Sequence, residues 1–183
     1  MSDHLDAIEA QWRRERPGLD ISALVLLGRL LRAAQLVDGA LVGGIAGHGL
    51  QRGWFDLLAA LRRAGVPYEL NPTELMRTTL VSSAGTTKRI DRLVAEGFVE
   101  RRPDPDDRRG TLVCLTRRGK RLIDEALETH LANEERLLAP LSAAERSKLD
   151  RLLRKLLEGL EELRPHIRSG SEGTRTRFSR PSR

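Results

Sequence analysis

Cysteine is almost missing. Cys114 is the one such residue among 183, which excludes an internal disulfide framework and any cysteine-based zinc knuckle. Aromatic residues make up 3%, too few for a platform that stacks single-stranded nucleic acid. No apolar run approaches the roughly 20 residues that a membrane span needs. The opening MSDHLDAIEAQWRRERP is polar and carries no secretory apolar segment. A cytoplasmic protein with no membrane partner is the expectation. His4, His48, His130 and His166 are scattered without ligand-like spacing, so no metal is expected. No Ser/His/Asp, Cys/His or paired-carboxylate set is legible, and neither an enzyme nor a cofactor is called for.

What is abundant is charge. Charged residues account for 32% of the chain against 39% hydrophobic, with a net charge of +6. Residues 77–121 hold 12 Lys and Arg against 6 Asp and Glu, and residues 168–183 hold five Arg and one Glu, so the remainder is acidic. An internal basic block on an acidic body is the pattern of a surface that faces phosphates.

Periodicity predicts a mainly helical chain. Leu5, Ile8 and Trp12 recur at helical spacing up to Pro17-Gly18. A second helix starts near Asp20, a capping residue, and is apolar around most of its circumference until GGIAGHG frays it. A third spans about Arg52 to Ala64. Asn71-Pro72-Thr73-Glu74 opens a short helix with proline at an early position, and SAGTTKRIDRLVAEG forms the next, closed by Gly97. Phe98–Arg102 and TLVCLT read as strands flanking the charged turn PDPDDRRG. Thr116 caps a long helix to about Leu138, and Ser142 with Glu145 forms a capping box for a last helix carrying a leucine ladder from Leu149 to Leu163. Beyond Pro165 the chain is polar and Arg-rich, and is expected to be disordered. Cys114 falls inside the returning strand, so it reads as a buried structural thiol rather than a redox sensor.

Helix, short helix, longer helix and then two strands around a charged tip is a winged helix-turn-helix. Small polar and basic side chains on the first half of the longer helix suit the major groove of double-stranded DNA. Ser83, Thr86, Thr87, Lys88 and Arg92 are such residues, and Arg108 and Arg109 at the hairpin tip can reach an adjacent minor groove.

The run from NPTEL through SSAGTTKRIDRLVAEGFVERRPDPDDRRG to LVCLTRRGK resembles the MarR family of dimeric transcription regulators, most specifically in its Asp-Arg-Arg wing and Leu-Thr-x-x-Gly helix entry. The resemblance implies a homodimer on a palindromic operator, with the first and last long helices intertwined. It makes Arg109 the minor-groove contact and gives Asp107 the task of holding the wing arginines or Arg92. On this reading residues 1–163 form a single winged-helix domain, 20–49 and 117–163 supply dimer helices, 50–116 are the DNA-binding lobe, and 164–183 are a disordered basic tail. An additional N-terminal helix with a tryptophan is similar to the urate-responsive, PecS-like branch. That similarity implies an anion site built from Trp12, Asp56 and Arg89, where the indole stacks on a planar ligand and the guanidinium pairs with its charge. A polar partner that some relatives place late in the third helix is Ala64 here, so the ligand class is a purine or phenolic anion more broadly than urate.

Other readings stand beside these. Asp56 and Arg89 could form a structural ion pair, and Trp12 could simply anchor its helix. The regulator could be an activator, or could answer a different effector such as an antibiotic. A winged-helix adaptor that ignores DNA and a small enzyme are the rivals from other classes.

Overall fold

The computed structural model describes residues 3–78, 85–107 and 110–170, with side chains as far as 163. Ser83, Arg108 and Arg109 therefore lie outside the described residues. The chain divides into two compact units after Leu137.

The first unit opens with α1 (His4–Glu15), started by a capping box between Asp3 and Asp6. It packs on α2 (Ser22–Ala46) through Leu5, which sits over Gly28: a Cβ there would lie 2.7 Å from Leu5 Cδ1. Arg29 of α2 clasps Asp3 at 2.8 Å and also pairs with Asp6. Asp20 caps the entry to α2 by accepting from Ser22 N–H at 2.9 Å. The glycine pair at 43–44 does not fray this helix as expected. Gly44 instead makes room for Asn133, whose amide would stand 2.8 Å from any Cβ at that position and donates to the Ala40 carbonyl at 2.9 Å. A tertiary contact thus compensates the poor helix propensity of glycine.

Helix α3 (Arg52–Arg63) is the centre of the core, with Phe55 and every residue from Leu57 to Leu61 buried. Around it lie Leu75 of α4 (Pro72–Arg77), Ile90 and Leu93 of α5 (Thr86–Ala95), and Ile123 of α6 (Arg117–Leu138). Asn71 and Glu74 form the capping box of α4, and Gly85, at φ 83°, leads into α5.

The sheet has three antiparallel strands in the order β1 (Glu69–Leu70), β3 (Thr111–Leu115), β2 (Val99–Pro103). The two-residue β1 is an addition to the two strands expected. The hairpin runs in register from Val99 opposite Leu115 to Pro103 opposite Thr111. Gly110 closes its turn where a Cβ would come within 2.9 Å of Asp104 Cβ and 3.0 Å of Asp107 Cβ. At the other end, Thr116 Oγ accepts from Gly119 N–H at 3.0 Å and donates to the Gly97 carbonyl at 2.8 Å, tying the start of α6 to the end of α5.

The second unit holds α7 (Ala143–Gly170), entered through the capping box of Ser142 and Glu145. This helix continues through Pro165, seven residues beyond the expected end at Leu163. Its Leu149, Leu152, Leu157, Leu160 and Leu163 are exposed, as are Leu26, Leu31 and Leu36 of α2 in the first unit.

Candidate nucleic-acid interface and effector pocket

Helix α5 is two-faced. Ile90 and Leu93 anchor it to the core, while Thr87, Lys88, Asp91 and Arg92 are exposed. Thr86 departs from the expected outward set: it is 3% exposed and its hydroxyl has no hydrogen-bond partner among the described residues, so it is unavailable to nucleic acid in this conformation. Lys88 and Arg92 supply the positive charge of the outer face. Asp91 is held by Arg101 of β2 at 2.7 Å, which ties the helix to the wing and reduces the local negative charge. Asp107 is exposed in the turn, where its carbonyl accepts from Gly110 N–H at 2.8 Å.

Between α3 and α5 lies a basic hollow of about 280 Å³ lined by Gln51, Trp54, Gly85, Lys88, Arg89 and Arg92. Trp54 meets Phe98 edge to face at 6.5 Å, and the Arg118 guanidinium covers the other aromatic partner at 4.5 Å. Sequence reasoning passed over Trp54. The cue was its place two residues before Asp56 on the same helix.

Arg89 lies directly against α3. A Cβ on Gly53 would stand 2.6 Å from Arg89 Nε, so the glycine is what allows the guanidinium stem to cross that helix. Asp56 follows Gly53 by one helical turn. Burial pushes its carboxyl above the ordinary aspartate range, while the positive charges of Arg52, His130, Arg63 and Arg89 oppose that rise. Its Oδ2 is buried without a hydrogen bond among the described residues. The structure therefore brings Asp56 and Arg89 into one electrostatic neighbourhood. Trp12 is 40% exposed on α1 and lines neither the basic hollow nor the small cavity beside Asp56.

Cys114 is buried, donates to Glu69 Oε2 at 3.2 Å, and has its thiol pushed up to about 12 by burial and by that carboxylate. A thiol with so small a thiolate fraction is inert to oxidants at neutral pH.

Residues 48–110 match the model of the MarR family. The HTH-type transcriptional regulator PecS of Dickeya dadantii is 38% identical over 146 residues, covering 80% of this chain and 88% of that one. The chain belongs to the MarR family. Among solved structures, a mutant MarR from Escherichia coli complexed with operator DNA has a TM-score of 0.65 at 31% identity, spanning 75% of this chain and 97% of its own. BpsR of Bordetella bronchiseptica, whose DNA binding is regulated by 6-hydroxynicotinic acid, has a TM-score of 0.63 at 31% identity, covering 70% of this chain and 91% of that one. The winged helix-turn-helix expected from the order of elements is thus the fold of this MarR-family chain. Among the described residues no helix is long and apolar enough to cross a membrane.

Proposed function

We propose that this protein is a cytoplasmic, homodimeric transcriptional repressor that grips a palindromic operator and is released by a small planar anion, such as urate or a related purine or phenolic compound. It acts by binding rather than turnover. The observation that carries the reading is the seating of Arg89, a residue of the exposed reading helix, against Gly53 and within the field of Asp56. A ligand that takes Arg89 pulls on the element that faces DNA.

On this reading Thr87, Lys88 and Arg92 meet the major groove, with Ser83 at the start of the same segment. The wing, with Arg108, Arg109 and Asp107, reaches the neighbouring minor groove. Residues 20–49 and 117–163 supply the dimer helices, and their exposed leucines are what a partner copy would cover. The DNA-binding lobe is 50–116, and the arginines beyond α7 either touch flanking phosphates or only keep the chain in solution. Trp12 is the proposed stacking residue for the ligand's planar face, although it lines neither hollow of the single chain.

Two reading helices on a dimer must sit about 34 Å apart, one DNA turn, to enter successive major grooves. An effector works only through its different affinity for the spaced and displaced forms. A typical coupling weakens DNA binding about 5- to 150-fold. Gel shift with DNA upstream of the protein's own gene, titrated with urate, xanthine and salicylate, tests this. Arg89→Ala is expected to retain DNA binding and to lose most of the ligand response. Equal ligand-driven release in that variant overturns the assignment.

A further inference from the structure

The wing leaves the reading helix at a single turn. Gly97, at φ 71°, reverses the chain, and Phe98 N–H donates back to the Leu93 carbonyl at 3.0 Å. Thr116 holds the returning strand to the same turn, its backbone N–H donating to the Phe98 carbonyl at 3.1 Å. Those bonds and buried Val99 secure the base of the hairpin; the stretch toward the tip needs another hold. Side chains alternate along β2, so Val99, Arg101 and Pro103 share one face. It is the face turned to the core, since Arg101 stands opposite buried Val113. An arginine therefore continues an apolar row where burial ends. Its Nη2 donates to Asp91 Oδ1 of α5 at 2.7 Å, a bond between residues 10 apart in sequence. Arg102, on the opposite face, pairs with Glu100, an ion pair within one strand.

We infer that Asp91 and Arg101 are positioning residues for DNA reading: their ion pair sets the angle of the wing on α5, and with it the number of base pairs between the major-groove and minor-groove contacts of each half-site. The inference rests on the proposed docking of the reading helix and the wing. Electrostatics alone argues against an acid at position 91. It lies on the exposed face with Thr87, Lys88 and Arg92, where a carboxylate repels phosphate. Stability does not account for it either. The side chains of Asp91 and Arg101 are 52% and 42% exposed, and an ion pair so open to water adds little to folding. What the pair supplies is a fixed distance between two elements that enter different grooves. Base contacts in one groove and shape reading in the other combine their selectivity only when both are reached from one rigid body. Loss of the clasp should therefore cost discrimination and spare the fold.

The test uses the full chain and a DNA fragment from upstream of its own gene, with poly(dI-dC) as the non-specific probe. Asp91→Asn removes a negative charge, so a charge effect alone would tighten binding to both. The positioning role has the opposite sign on the fragment: binding about tenfold weaker, with affinity for poly(dI-dC) unchanged or higher. Arg101→Gln should lose about as much, and the double variant no more than either alone, because both break one link. Arg101→Lys keeps a cation before Asp91 and should retain most of the selectivity. Arg102→Gln deletes equal charge from the same strand and should retain it too. In hydroxyl-radical footprints the clasp variants are expected to lose minor-groove protection at the edge of each half-site, while guanine N7 protection from dimethyl sulfate persists. Undiminished binding to the fragment in Asp91→Asn, additive losses in the double variant, an equal loss in Arg102→Gln, or both protections vanishing together overturns the inference. A wild-type chain that binds the fragment, with indifferent variants, overturns this inference alone; a wild-type chain that ignores the fragment overturns the DNA reading with it.

Discussion

At the scale of single residues, contacts fix roles that residue type alone leaves open. Gly119 is the clearest. A Cβ there would lie 1.9 Å from the Phe98 carbonyl oxygen, a backbone atom that cannot yield without moving the hairpin. Gly119→Ala is expected to destabilise the fold by about 3 kcal/mol, at the upper end of overpacking effects, read as a lower urea midpoint. Cys114 carries a pH prediction. Its thiol titrates near 12 in the folded chain against 9.0 for the unperturbed group. Folding therefore favours the protonated form: the stabilisation is complete below pH 9 and is lost as pH rises toward 12. Iodoacetamide labelling at pH 8 should be undetectable in folded protein and rapid in urea; prompt labelling of folded protein would contradict this burial. Asp56 has the same sign, since its raised carboxyl makes the ionised form a burden at neutral pH. Asp56→Asn should leave the melting temperature at pH 7 unchanged or higher, while impairing ligand binding. A marked fall would make the residue structural.

At the scale of elements, short-range signals act where the chain is locally self-consistent. The capping box of Asn71 and Glu74 was legible because both side chains sit three residues apart around a proline, and the helix they start is six residues long. Asn71→Ala should cost about 0.5–2 kcal/mol, measured by denaturation, with the loss felt by the helix preceding the reading helix. The wing was legible through its two short strands flanking a charged turn. Signals that depend on the far side of a contact were not. The glycine pair at 43–44 reads as a break until Asn133, 89 residues beyond Gly44 in sequence, is seen occupying the space. The strand β1 is two residues long and exists because Cys114 and Val113 offer it an edge, so no periodicity announces it. Thr86 looked like its neighbour Thr87, and only helix phase separates the buried residue from the exposed one. In the candidate sites, Asp56 and Arg89 were found by resemblance. His130 and Glu134, which line the small cavity beside Asp56, were passed over because an i, i+4 pair of His and Glu on a long helix is an ordinary surface pattern until neighbouring helices enclose it.

At the scale of the whole molecule, the exposed apolar residues and the basic face have to be explained together. Leu26 is 68% exposed and Leu31 65% on α2, and Leu157 is 57% exposed on α7, a quantity of bare leucine that a lone chain in water rarely tolerates. Dimer formation answers it, and on the proposed reading doubles the Lys88–Arg92 face into two readers of one operator. Leu31→Asp is therefore expected to shift the protein to monomer in sedimentation and to weaken operator binding in step. A monomer that binds as tightly would break the link between the two. Paired binding to double-stranded DNA is measured by the salt dependence of affinity for a fragment from the protein's own promoter. Each lost phosphate contact lowers the slope of log K against log salt by about 0.9. Tight binding at low salt and a steep slope are expected, with a slope shallower by up to about 0.9 per DNA half-site in Lys88→Ala and in Arg92→Ala, since each removes one groove-facing cation from the phosphate field. Binding that is absent in dilute buffer, or a slope unaltered by either substitution, would contradict it.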